Sequence, residues 1–93
     1  MTGNAIEIVH NPEKNRFELE QDGLLCVLEY YVVEGTMVFT HTEVPSALGG
    51  RGLGSRLAQA GLEYARQQGL KVRPLCSFIA GYIQKHPEYQ DLL

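Results

Sequence analysis

Gly49-Gly50-Arg51-Gly52-Leu53-Gly54-Ser55 marks the place where this chain changes its periodicity. Before it, apolar residues alternate as half-buried strands require; after it, they recur at helical spacing. Four glycines within six residues, Gly49 to Gly54, form a turn that feeds directly into a helix start. The first amides of a helix have no intrahelical partner. Glycine admits positive φ and lets a ligand approach the backbone closely. Aligned peptide dipoles favour negative charge at that end. The stretch therefore predicts a cradle for a phosphate or pyrophosphate; the plain alternative is a glycine-rich loop with no ligand.

The flanking segments predict what surrounds it. Ala5 to His10 reads as a first strand, with Ile6 and Ile8 alternating with Glu7, and Asn11 to Asn15 as a turn around Pro12. Arg16 to Gln21 is a second strand, with Phe17 and Leu19 on one face, and Asp22-Gly23 is a strong hairpin signal. Leu24 to Glu34 is the most apolar run, rich in β-branched and aromatic residues, and predicts a central strand covered on both faces. Glu34-Gly35 closes another hairpin. Thr36 to Glu43 is the fourth strand; simple alternation puts Met37, Phe39, His41 and Glu43 on one face and Val38, Thr40 and Thr42 on the other.

A helix is expected from about Gly52 to Gln68, with Leu53, Leu57, Ala58, Gly61, Leu62 and Ala65 as its apolar face and Gly69 as its stop. Leu70 to Leu75 is a short fifth strand. A helix between two strands of one sheet implies that they run parallel. Ser77 is the expected N-cap of a second helix whose stripe is Phe78, Ile79, Tyr82 and Ile83. His86-Pro87 ends it, and Pro87 to Leu93 reads as one more helical turn. The fold class is α+β, with a mixed sheet: an antiparallel meander, then strand, glycine loop, helix, strand and helix.

Ninety-three residues make one domain, spanning 1–93. The net charge of −3 gives no general attraction to nucleic acid or to anionic membranes, so neither is an expected partner and an anion site must be built locally. The two cysteines, Cys26 and Cys76, are too few for a disulfide scaffold, and His10, His41 and His86 lack zinc-ligand spacing, so no metal is expected. Met1-Thr2-Gly3-Asn4-Ala5 lacks a basic region followed by an apolar run. A cytoplasmic protein, monomeric or weakly dimeric, is the expectation.

Set in this order of elements, Gly49 to Gly54 resembles the acetyl-coenzyme A motif of the GNAT N-acetyltransferase superfamily. That motif runs Gln or Arg, two variable residues, Gly, one variable residue, then Gly or Ala. Gly52 and Gly54 match its last glycines, whereas Gly49 stands where Gln or Arg is usual. His41-Thr42-Glu43-Val44-Pro45, Val72-Arg73-Pro74-Leu75-Cys76-Ser77 and the run from Tyr82 to Tyr89 are similar to the short, single-domain, YjdJ-like branch of that superfamily. That branch lacks the N-terminal helices and late strands that help to form the acceptor pocket in full-size members.

The resemblance implies acetyl-coenzyme A as co-substrate and an amine of unknown identity as acceptor. It places a coenzyme A pyrophosphate on the backbone of Gly50, Arg51, Gly52, Leu53, Gly54 and Ser55, with Gly49 in the same turn. Arg51 and Arg56 either add charge-assisted contacts to phosphate or are solvated surface charges. Val44 would donate its backbone N–H near the thioester carbonyl. Cys76 stands at a strand-to-helix junction, a location that lowers a thiol's pKa; it is either a nucleophile or a buried structural cysteine. Ser77 beside it and Lys85 are assigned to the coenzyme, Lys85 and His86 toward the adenosine phosphates, although both also suit a helix C-terminus. His41 and Glu43 are candidate bases for the acceptor amine, or simply polar residues at a strand end. Two functions follow: an N-acetyltransferase acting directly or through Cys76, or a non-catalytic coenzyme A-binding sensor or interaction module.

Overall fold

The computed structural model describes residues 7–93, so Ala5 and Ile6 of the expected first strand lie outside the described residues. The strands are β1 (Val9–Asn11), β2 (Arg16–Gln21), β3 (Leu24–Val33), β4 (Thr36–Glu43) and β5 (Lys71–Pro74). The helices are α1 (Leu53–Gln67) and α2 (Ser77–Lys85), with short 3₁₀ turns at Pro12–Lys14, Ser46–Leu48 and Pro87–Leu92. The described chain is a mixed α+β fold around one sheet in the order β1-β2-β3-β4-β5. The first four strands are antiparallel, and β4 and β5 run parallel across the α1 crossover.

Both long hairpins turn on the residues that signalled them. Asp22 and Gly23 have φ of 55° and 75°, and Glu34 and Gly35 have φ of 50° and 77°. Two left-handed residues in succession make the turn whose twist matches that of the paired strands.

The core lies between the sheet and the helices. Phe17, Leu19, Cys26, Leu28, Met37 and Phe39 meet Leu57, Ala58, Leu62 and Ala65 of α1. A Cβ at Gly61 would fall 2.8 Å from both the Leu28 and Phe39 side chains, so α1 reaches the sheet at a point where only glycine fits. On the same face His10 stacks on Phe17 with ring centroids 4.3 Å apart and shares a 2.5 Å hydrogen bond with the Tyr30 hydroxyl. The segment after α2 closes the other end of the core. Tyr89 is buried and donates its hydroxyl to Glu63 at 2.7 Å; burial and that carboxylate push the phenol up to about 12. Arg66 grips Asp91 at 2.9 and 3.0 Å and the Glu88 carbonyl at 2.7 Å.

Several sequence expectations are corrected. Strand β1 begins at Val9 and takes in Asn11, and β5 excludes Leu70 and Leu75. Strand β3 is not covered on both faces. α1 and α2 share one core with Leu28 and Phe39, while Leu25, Tyr31 and Val33 on the opposite face are exposed. Most consequential is a β-bulge. Tyr30 pairs with Phe39 but Glu29 pairs with His41, which leaves Thr40 as the extra residue, its hydroxyl donating to the Glu29 carbonyl at 3.2 Å. An extra residue shifts the alternation of everything beyond it. Thr42, opposite Leu28, therefore faces the helices with Met37 and Phe39, and His41 and Glu43 face the other way.

Candidate active site

Pairing of β4 with β5 stops at Phe39 and Pro74, where proline has no N–H to continue the ladder. One further bond follows, from the Cys76 N–H to the Phe39 carbonyl at 3.0 Å. Beyond it, Thr40–Glu43 continue β4 while the other chain turns into α2. The two segments form a fork. Thr42 and Cys76 line it on the helix face, with Oγ1 and Sγ hydrogen-bonded 3.3 Å apart. His41 and Glu43 flank it on the open face, exposed, with Nε2 and Oε1 3.3 Å apart. Val44 follows directly and packs against the core from its edge. The structure thus brings Cys76 to Thr42 and His41 to Glu43, and puts the two pairs on opposite faces.

The N-cap of α2 is Cys76, in extended conformation, and not Ser77, which is the first helical residue. Sequence alone favoured serine because its hydroxyl is a good cap. The register is set instead by the ladder bond from Cys76 to Phe39, which holds Cys76 outside the helix. Burial pushes the Cys76 thiol up, but the Thr42 hydroxyl and the Ile79 and Phe78 amides outweigh it and bring the thiol below its ordinary range. The Phe78 and Ile79 amides lie in the first turn of α2, where N–H groups lack intrahelical partners and favour an anion beside them. Cys26, fully buried in β3, is shifted the opposite way by the same burial with nothing to offset it.

The glycine stretch starts α1. Ser46–Leu48 makes a 3₁₀ turn, closed by Gly49 N–H donating to the Ser46 carbonyl at 3.0 Å. Gly50 and Gly52 then take φ of 81° and 74°. Gly52 is the N-cap; it has no side chain to serve the amides of Leu53, Gly54 and Ser55, and the first intrahelical bond comes from Arg56. The side chain of Leu53 is buried in the core, so that residue offers only its backbone to a ligand. Gly54 has a second reason to be glycine: a Cβ there would lie 2.9 Å from the Phe78 ring, where the starts of α1 and α2 touch. Arg51 is held 3.0 Å from Asp22 of the β2–β3 hairpin, so its charge is already engaged, while Arg56 is exposed.

A groove of about 260 Å³ runs from this contact along α2, lined by Ser55, Ser77, Phe78, Gly81, Tyr82, Lys85 and His86. It unites four residues singled out in the sequence, Ser55, Ser77, Lys85 and His86. Phe78, Gly81 and Tyr82 had been read as packing or passed over. Their signal was the spacing of Ser77, Gly81 and Lys85, a second stripe on α2 beside the buried Ile79 and Ile83. The His86 ring stacks on Tyr82 at 3.9 Å and bonds the Tyr82 carbonyl through Nδ1 at 2.8 Å, closing the helix C-terminus. Among the described residues there is no cluster of side chains suited to a metal ion.

Comparison with known proteins gives the family and the fold. The family described as GCN5-related N-acetyl-transferase matches residues 16–92. Protein NATD1 of Xenopus tropicalis is 33% identical over 92 residues, covering 96% of this chain and 84% of that protein. Protein NATD1 of Homo sapiens is 33% identical over 93 residues, covering 97% and 82%. The solution structure of a GCN5-like N-acetyltransferase candidate from Staphylococcus aureus superposes with a TM-score of 0.74 at 34% identity, over 92% of this chain and 85% of that one.

Proposed function

The chain belongs to the GCN5-related N-acetyltransferase family, and from that premise we propose that it binds acetyl-coenzyme A and transfers the acetyl group to an amine. The observation that carries the reading is the start of α1: a glycine N-cap at φ 74° with no side chain over the following amides, opening onto a groove that ends at Lys85. The backbone of Gly50, Arg51, Gly52, Leu53, Gly54 and Ser55 holds the pyrophosphate, with Gly49 closing the turn behind it. Ser77 and Lys85 hold the nucleotide end along the groove. Arg51 joins them only by leaving Asp22, so the cradle rests on amides more than on side chains.

The acyl end belongs at the fork. There the Val44 N–H polarises the thioester carbonyl and favours the oxyanion that develops on attack. In the direct route the amine attacks that carbonyl carbon, His41 or Glu43 takes its proton on the open face, and coenzyme A leaves as the thiol. In the covalent route the Cys76 thiolate attacks first and forms an S-acetyl cysteine as coenzyme A departs; the amine then displaces Cys76. The lowered thiol and its Thr42 partner support the second route.

The test is incubation with acetyl-coenzyme A, reading intact mass and coenzyme A release, with Cys76→Ala alongside. A gain of one acetyl group in the parent protein, absent from the variant, establishes the covalent route. Coenzyme A release with an amine that survives Cys76→Ala establishes the direct one. Binding without release over a broad amine panel leaves a coenzyme A-binding module, and absence of binding rejects the reading.

A further inference from the structure

The open face of the sheet carries a second cavity, of about 420 Å³, separate in its lining residues from the groove along α2. It lies on β3, β4 and β5, its lining including Val33, Glu34, Thr36, Val38, Arg73 and Leu75, within the size range of small-molecule sites. Its groups are ordered along the strands. Glu34 sits in the β3–β4 hairpin, farthest from the fork. Arg73 comes next, paired with Val38 in the β4–β5 ladder. Leu75 immediately precedes Cys76, at the base of the fork. Among the described residues neither Glu34 nor Arg73 takes part in an ion pair, although Arg16, Arg51 and Arg66 do. The end of the cavity nearer the β3–β4 hairpin thus offers one free anion and one free cation, and the end toward the fork is apolar.

We propose that this cavity holds the acceptor and that the acceptor is a diamino acid. The inference rests on the acetyltransferase reading above. The α-carboxylate is held by Arg73, the α-ammonium by Glu34, and the aliphatic stem lies over Val38 and Leu75. The terminal amine then enters the fork on the face where His41 and Glu43 stand. A strand rises about 3.3 Å per residue, so Cys76 lies about 10 Å beyond Arg73, a span suited to an extended lysine or ornithine with its two end groups. A monoamine leaves both charges at the hairpin end unmatched, and a plain diamine matches only Glu34. The acetyl group enters from the helix face, because the cradle on α1 is on that face; the acceptor therefore has the opposite face to itself.

The experiment compares coenzyme A release for lysine and ornithine with that for their decarboxylated counterparts, cadaverine and putrescine, and for Nα-acetyl-lysine. The amino acids are expected to exceed the diamines in kcat/KM by about tenfold or more, the worth of a charge-assisted hydrogen bond. Arg73→Gln removes that preference by raising KM while kcat stays within about twofold, because one uniform binding contact is lost. Glu34→Gln removes the discrimination against Nα-acetyl-lysine. Unchanged melting temperatures establish that both variants fold. Diamines turned over as well as the amino acids, an unchanged KM in Arg73→Gln, or acetyl-coenzyme A binding with no turnover of any of these amines overturns the assignment. Acetyl-coenzyme A affinity is measured by calorimetry on the same preparation. Its absence rejects the coenzyme reading itself, and the acceptor assignment with it.

Discussion

The two helices of this protein start within contact of each other and start differently. α1 opens on Gly52, in left-handed conformation and without a side chain, so no cap side chain serves the amides of Leu53, Gly54 and Ser55. α2 opens on Cys76, in extended conformation, with its own sulfur beside the first amides and the Thr42 hydroxyl behind it. The Phe78 ring against Gly54 joins the two starts. Both use the same property, unpartnered N–H groups and the positive end of a helix dipole. One start leaves that property open to a foreign anion; the other applies it to an anion the chain can make for itself. The N-cap residue decides which.

Gly52→Val breaks the first half of this contrast and carries the largest expected effect. A β-branched residue at φ 74° is strained by about 1–3 kcal/mol, and relief of that strain turns the amides away. Acetyl-coenzyme A affinity, read by calorimetry, is expected to be abolished, with a lowered urea midpoint. Affinity retained in a folded Gly52→Val protein places the coenzyme elsewhere.

Cys76→Ala breaks the second half and leaves the first. Coenzyme affinity is retained, acetylation of the protein is lost, and stability falls by about 1 kcal/mol, the worth of the hydrogen bond with Thr42. The folded thiol is shifted down, so the unfolded chain holds this proton at pH values where the native chain has released it. Stability from this group is present above the unfolded thiol's pKa and is lost as pH falls through the folded value. The stability gap between parent and variant therefore widens as pH rises through that window and is flat beyond it. Urea denaturation of both proteins from about pH 6 to 9 reads it. A gap that narrows with rising pH contradicts the downward shift of the Cys76 thiol by Thr42 and the first amides of α2.

The parts of this structure legible in the sequence are those fixed by neighbours in the chain. The Asp22-Gly23 and Glu34-Gly35 turns, the apolar face of α1 from Leu53 to Ala65, and the positive φ of Gly69 each depend on a few adjacent residues. What the sequence concealed was set across strands and between helices. Nothing local marks Thr40 as a bulge; it follows from how β3 and β4 must register, and it moves His41 and Glu43 to the face opposite Phe39. Nothing local makes Cys76 a cap in place of Ser77; the bond to Phe39 does. Arg51 read as a phosphate ligand because Asp22 is far away in sequence, though 3.0 Å away in space. The open face of β3 reflects which side of the sheet both helices chose, and an apolar run looks the same whichever side is covered.

Thr42→Val is the smallest perturbation and the one that tests the bulge. Valine keeps the shape and removes the hydroxyl 3.3 Å from Sγ. If Thr42 faced away from the helices, as unbroken alternation has it, the change would not reach Cys76. In the observed register the thiolate loses its hydroxyl partner, and the loss of that bond moves the thiol's titration upward. The readout is the pH dependence of alkylation by iodoacetamide; Cys26 is fully buried and does not contribute while the fold is intact. Coenzyme affinity stays within about twofold, because the amides of α1 are untouched and the lost group bonds only the thiol. An upward shift with unchanged affinity separates the two helix starts by a single hydroxyl. An unshifted profile removes Thr42 from the helix face and the bulge with it.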